Sequence, residues 1–172
     1  LNIVNTAKGT FFLADTLVNN HPSVETLEEI VKLTNDSVKI FNVDPVIAML
    51  SYSNFGADNT GSPVTVHKAV ENLHKNHPEI LVDGEMQVNF ALDKDLRSAT
   101  YPFSKLEGKD VNTLIFPNLS SANITYKTLL SMGLAENVGP VQMGLKKPIY
   151  VCEPEASVRD IMNIVTIAVI DA

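Results

Sequence analysis

An apolar, β-prone run, Leu114-Ile115-Phe116, stops at Pro117, which cannot donate to a sheet ladder, and Ser120 or Ser121 then offers a cap for a helix. Strand, short loop, helix is the repeating unit of layered α/β domains. In an open parallel sheet, ligands bind beyond the carboxyl ends of the strands, and a helix that starts there aims unpaired backbone N–H groups at an anion. Asn123 and Lys127 are four apart, so they share one face of that helix, an amide and a cation one turn apart. The same pattern also describes an ordinary capped turn, because every helix start needs a cap. Pattern alone leaves both readings open.

The rest of the chain repeats the theme. Gly9 to Thr16 is rich in Phe and Leu and suits a buried strand. His21-Pro22-Ser23 opens a helix with Pro22 in its first turn, Leu27, Ile30, Val31, Leu33, Val38 and Ile40 on or near one face, and a stop near Asn42. A strand over Val46 to Leu50 leads into a loop rich in Ser, Asn, Gly and Pro, from Ser51 to Pro63, and a helix over Val64 to Asn76 ends before Pro78. Ile80 to Val82 reads as a strand, Met86 to Ala99 as helix in pieces, and Tyr101-Pro102-Phe103 as a loop. Gly133 is a helix stop, Val138 to Met143 and Ile149 to Cys152 read as two short strands, and Ser157 starts a closing helix with Ile161, Ile164, Val165 and Ala168 at helical spacing. The apolar end of that helix, Ile167 to Ile170, calls for a cover. The expected class is α/β.

Composition removes several functions. At 172 residues the chain can make one domain, or one and part of another, and 45 % hydrophobic against 19 % charged residues marks it as globular. A net charge of −7, no Trp and no basic run argue against nucleic acid. No apolar segment reaches membrane length and nothing resembles an export signal, although the start at Leu1 rather than Met reads as a fragment of a longer chain. A single cysteine, Cys152, excludes an internal disulfide and fits a reducing cytoplasm, with packing in a strand its expected role.

Other candidate chemistry is thin. Ser51, Ser53, Asn54 and Gly56 lie between a strand and a helix, where hydroxyls and amides can wrap a phosphate, or simply form a long loop; the Gly-Lys-Ser/Thr of a P-loop is missing. His74 and His77 have the spacing of two metal ligands but no obvious third, so a solvated pair is the better reading and no metal is expected. Asp83 and Glu85 have the look of an acid/base pair, but alternate residues of a strand face opposite ways, so a turn with one inward carboxylate is expected. A serine hydrolase is disfavoured by the absence of Gly-x-Ser-x-Gly.

The individual residues carry more than the pattern. Val111 to Lys127, Val138-Gly139-Pro140-Val141-Gln142-Met143-Gly144-Leu145 and Lys147-Pro148, with Val82-Asp83-Gly84-Glu85-Met86-Gln87, Met49 to Ser53, Phe12 to Thr16 and Val18-Asn19, resemble the carboxyl-terminal half of phosphate acetyl/butyryltransferases over nearly the whole chain. Ser51 to Gly56, Lys8 to Thr16 and Ile164 to Ala172 look like the transferase-like carboxyl-terminal region of bacterial multidomain NADP-dependent malic enzymes.

The resemblance implies a three-layer α/β/α sandwich with a mostly parallel or mixed sheet, as in isocitrate/isopropylmalate dehydrogenase-like folds, built from a main unit over 1–140 and closing strands and helix over 141–172. It implies acetyl-CoA as a possible effector at Ser51, Ser53, Asn54, Gly56, Asn123, Tyr126 and Lys127, the loop and helix forming two walls of one cleft. It places malate decarboxylation, NADP and a divalent metal in amino-terminal domains that this chain lacks, with no cofactor held here. Those domains and further copies of the chain are the implied partners. Active transferases carry a Ser-Arg pair before the final helix, and Glu153-Pro154 stands there in this chain. Arginine offers a fork of donors matched to phosphate, proline offers none and glutamate repels it, so no catalytic residue is expected. Asp160 matches the family aspartate, but its expected role is to cap a helix start. Two alternatives stay open, a surviving phosphate acetyltransferase and a purely structural dimerisation domain.

Overall fold

Strands β1 (Asn2–Thr6) and β2 (Gly9–Ala14) form an antiparallel hairpin with Ile3 opposite Phe12, in a computed structural model that describes residues 1–147, 149–152 and 156–170. Strands β3 (Ile47–Leu50), β4 (Val82–Met86), β5 (Thr113–Ile115) and β6 (Ala135–Val138) complete a six-stranded sheet in the order β4-β3-β5-β2-β1-β6. Every pairing from β4 to β2 is parallel, and β1 alone runs the other way, flanked by β2 and β6. The sheet is therefore mostly parallel, as expected.

Alternation along the strands builds two cores. Phe12 and Ala14 of β2, with Ile47 and Met49 of β3, face one way and pack with Leu27 and Val31 of α1 (Val24–Ile40), Val66 and Leu73 of α2 (Gly61–Asn76) and Ile167 of α6 (Val158–Ile170). Leu13, Ala48 and Leu50 face the other way, toward Ala91 of α3 (Val88–Leu92) and Ala122 and Tyr126 of α5 (Leu119–Ser131). Period-two strands buried on both faces give the three-layer α/β/α sandwich.

Several expectations need correction. β1 went unread because Asn2, Asn5 and Thr6 break its apolar run, and its partners lie across the hairpin and at β6. Ser23 caps α1 by accepting from Thr26 N, so Pro22 precedes the helix rather than starting it. α2 begins at Gly61, not Val64. β4 spans Val82–Met86 instead of Ile80 to Val82, so Asp83 and Glu85 lie in a strand and not in a turn. Asn118 caps α5 ahead of both serines, accepting from Ser121 N at 2.9 Å. Neither late strand forms as read: β6 lies over Ala135–Val138 and shares only Val138 with the expected Val138 to Met143, while Val141 and Tyr150 make an isolated bridge. Cys152 is exposed rather than packed in a strand. The inward residues of α6 are Ile164 and Ile167, leaving Ile161 and Val165 largely exposed. No described helix is long and apolar enough to cross a membrane.

Behind β2, Asp15 organises the exit turn. Its carboxylate accepts from the amides of Leu17, Val18 and Asn19 and from the Asn19 side chain, at 2.7 to 3.1 Å. Burial alone would raise this carboxyl, but the four donors outweigh it and hold it below the usual aspartate range. A lowered folded-state pKa contributes stability that is present above the unfolded value of about 3.9 and is lost as pH falls through the folded one. Asp15→Asn is expected to lower the melting temperature by about 2–4 °C at pH 7, with the gap to the unmodified protein closing below about pH 4. An unchanged gap in calorimetric melts from pH 7 to pH 3 would contradict this assignment.

Candidate functional site

The carboxyl ends of β3, β4 and β5 open into a cleft of about 570 Å³. Its floor is apolar, with Leu50, Leu114 and Phe116, and its rim is polar, with Ser51 after β3, Gln87 after β4, and Asn118 and Ser121 where α5 begins. None of its lining residues among those described is charged. This is the place where parallel strands leave their ends uncovered and where α5 begins.

The loop after β3 is tied down by the end of β4. Ser51 N donates to Met86 O (2.9 Å), Asn54 Oδ1 accepts from Gln87 N (2.8 Å), and Gln87 Nε2 donates to Tyr52 O (2.7 Å). Ser53 Oγ accepts from Asp58 N (3.0 Å), and Gly56 N donates to Glu85 Oε1 (2.7 Å). Ser51 and Tyr52 therefore reach the cleft, while Ser53, Asn54 and Gly56 hold the loop that presents them. Asp58 itself sits below the usual carboxylate range, through the Thr60 hydroxyl and then Tyr52.

Helix α5 separates this cleft from a second hollow of about 250 Å³, lined by Tyr126, Lys127, Asn137, Asp160 and Ile164 among others. Ser121 and Thr125, four apart, face the cleft; Lys127 lies two residues past Thr125, about 200° around the helix, and faces the hollow. Asn123 and Lys127 do share a face, but that face is turned from the cleft, and Asn123 lines neither concavity. The expected pairing of the Ser51 to Gly56 loop with Asn123 and Lys127 as walls of one cleft thus resolves into two concavities on opposite sides of one helix. The Lys127 ammonium lies 5.4 Å from the centre of the Tyr126 ring.

Asp160 lies in the hollow but is occupied with the start of α6. Its Oδ2 accepts from Ser157 N (2.8 Å) and Ser157 Oγ (2.7 Å), and its own amide donates back to Ser157 Oγ. The Ser157 hydroxyl, then its amide, hold the Asp160 carboxyl low. The Glu153-Pro154 replacement lies outside the described residues.

Buried carboxylates were only half read from the sequence. Asp83 Oδ2 accepts from Ser104 Oγ (2.7 Å) and Lys105 N (2.8 Å), and His74 Nε2 stands 3.7 Å from Asp83 Oδ1 while bonding Val82 O at 2.8 Å. His77 pairs with Glu79 instead, so the two histidines point to different partners. No group of three potential metal ligands occurs among the described residues. The residue that sequence reasoning missed is His67, whose Nδ1 lies 2.9 Å from Glu85 Oε2. Its spacing of seven from His74 puts both on the α2 face that meets β4, a signal that periodicity alone offered.

Residues 1–169 match the Phosphate acetyl/butaryl transferase family. This chain belongs to that family. Among its relatives, the NADP-dependent malic enzyme of Escherichia coli (strain K12) is 39 % identical over 173 residues, covering all of this chain but 23 % of that protein. The phosphate acetyltransferase of Clostridium acetobutylicum is 35 % identical over 96 % of this chain and 50 % of its own length. A phosphotransacetylase structure from Streptococcus pyogenes superposes with a TM-score of 0.90 at 32 % identity, covering 98 % of this chain and 52 % of that one. The chain thus spans about a quarter of that malic enzyme's length and about half of that transferase's.

Proposed function

We propose that this chain is an acyl-CoA-binding regulatory and assembly module of an NADP-dependent malic enzyme, without transferase turnover of its own. The observation that carries this reading is the neutral cleft. Acyl transfer to or from phosphate develops negative charge, which a working site meets with preorganised cationic donors. Apolar floor, amides and hydroxyls suit binding an acyl-pantetheine arm, whereas no described residue there offsets a charged transition state. Lys127, in the hollow behind α5, supplies the cation that a polyanion needs on a chain of net charge −7. Glu153-Pro154, in place of the Ser-Arg of active family members, argues the same way. In this reading the protein is cytoplasmic and a homo-oligomer, and NADP and the divalent metal belong to the malate-oxidising domains.

Calorimetric titration of acetyl-CoA into the full-length protein tests it. Lys127→Ala is expected to weaken binding about tenfold, the loss of one partly solvated charge-assisted contact. Equal affinity for both proteins removes Lys127 from the site. Because coupling is reciprocal, saturating malate must shift the acetyl-CoA affinity if the ligand regulates turnover.

A second reading, a residual phosphate acetyltransferase, is favoured by one observation: Lys127 and Asp160 line the same hollow. It predicts acetyl phosphate formation from acetyl-CoA and phosphate by the unmodified protein. Turnover that appears only after Glu153→Ser/Pro154→Arg supports the regulatory reading instead.

A further inference from the structure

Glu85, next to last in β4, is fully buried, and its carboxylate is shared between two other elements. Oε1 accepts from Gly56 N of the cleft loop at 2.7 Å, and Oε2 lies 2.9 Å from His67 Nδ1 of α2. The backbone oxygen of the same residue accepts from Phe55 N at 2.8 Å. Glu85 is thus the post to which the turn of the loop is fastened.

A carboxylate taken out of water requires a compensating partner, since an uncompensated buried charge costs several kcal/mol. His67 is the chargeable partner within hydrogen-bond reach. Its side chain is 38 % exposed against 0 % for Glu85, so the imidazole can exchange a proton with solvent while the carboxylate cannot. Glu85 faces the ring from β4, and Glu71, one turn further along α2, lies 3.6 Å from Nε2. The cleft loop approaches as well: a Cβ on Gly56 would sit 3.8 Å from His67 Cε1, and the carboxylate of that loop, Asp58, is bonded to Tyr52 and Thr60. A protonated imidazole donates to Glu85 with a full charge behind the bond and attracts Glu71 electrostatically across 3.6 Å, whereas a neutral one offers Glu85 at most an uncharged donor.

We propose that His67 is a positioning residue for the cleft, a proton-dependent clasp that acts through Glu85 to hold the loop of residues 51–60 in the shape that presents Ser51 and Tyr52 to a ligand. The clasp is tightest when His67 carries its proton and slackens when that proton leaves. It touches no ligand. Its effect on acetyl-CoA rests on the acyl-CoA reading; its effect on the loop does not.

Amide hydrogen exchange on the full-length protein separates the two. Protection of the segment holding Phe55 and Gly56, corrected for the intrinsic pH dependence of exchange, is expected to fall about tenfold from pH 6 to pH 8, the loss of about one charge-assisted hydrogen bond. His67→Ala removes the protection at both pH values, and His67→Gln, which keeps one neutral donor, gives an intermediate level without the pH trend. Strand β5, residues 113–115, serves as the internal control for global unfolding. Acetyl-CoA titrated into the same samples should lose about threefold to tenfold in affinity with His67→Ala, in parallel with the loop. Equal protection and an equal pH trend in all three proteins overturn the clasp. A loop that loosens as described in a protein that ignores acetyl-CoA leaves the clasp standing and removes the acyl-CoA reading.

Discussion

Gly84→Ala is expected to cost about 3–5 kcal/mol and to lower the melting temperature by about 10 °C or more, or to abolish soluble expression. Gly84 occupies the centre of β4, paired with Met49 of β3, at a φ of +146° that side-chain-bearing residues rarely adopt. A Cβ placed there would stand 2.5 Å from Met49 O and 3.2 Å from Met49 Cβ. The nearest obstacle is backbone in the middle of the sheet, so relief requires β3 and β4 to part where both strands are buried. The neighbours magnify the damage, because Asp83 and Glu85 flank the position and fasten the 104–105 turn and the cleft loop. Thermal unfolding followed by circular dichroism decides the matter, and a melting temperature within experimental error of the unmodified protein would show that the strand pair yields easily.

The second large effect is expected at Arg97. Its guanidinium is fully buried and donates to four backbone carbonyls, those of Phe90, Ala91, Leu106 and Lys109. One side chain thereby ties α3, α4 (Lys94–Thr100) and the turn before β5 into a unit. Burial pulls its pKa down from the ordinary value, and Asp110, Asp83 and Asp93 pull it back up. Arg97→Met fills much of the volume and leaves all four acceptors without their donor, which should destabilise the protein by about 3–5 kcal/mol. Arg97→Lys keeps the charge but cannot span four acceptors, and an intermediate loss is expected. Chemical denaturation of the three proteins gives the ordering directly. If Arg97→Met proved as stable as the original, water would have to replace the guanidinium at those carbonyls.

Strand and helix types were largely readable from the sequence because the central strands are buried on both faces and the helices carry strong apolar stripes. Ile47 to Leu50 and the Leu27/Val31/Val38 series needed no tertiary information. β1 and β4 did need it. β1 is held by partners at both ends of the chain, and the apolar run of β4 is interrupted by Asp-Gly-Glu, whose carboxylates are buried only because Ser104, Lys105, Gly56 and His67 converge on them. The candidate site was half visible for the same reason. Pattern identified the α5 start and the 51–56 loop, but which face of α5 meets that loop is a packing outcome, and it sends Ser121 and Lys127 to different concavities.

The outer margin of the sheet has a consequence for handling the protein. β6 is four residues long, and its exposed Glu136 pairs with Arg159 of α6 at 2.8 Å. A brief strand bearing a charge is a poor template for recruiting another chain, whereas β1, which it covers, is longer and mostly buried. Ending the chain before residue 135 would remove β6 and α6 together and bare the polar backbone row from Ile3 to Thr6, so shortened versions are expected to stick to one another edge to edge and precipitate while retaining helices α1 to α5.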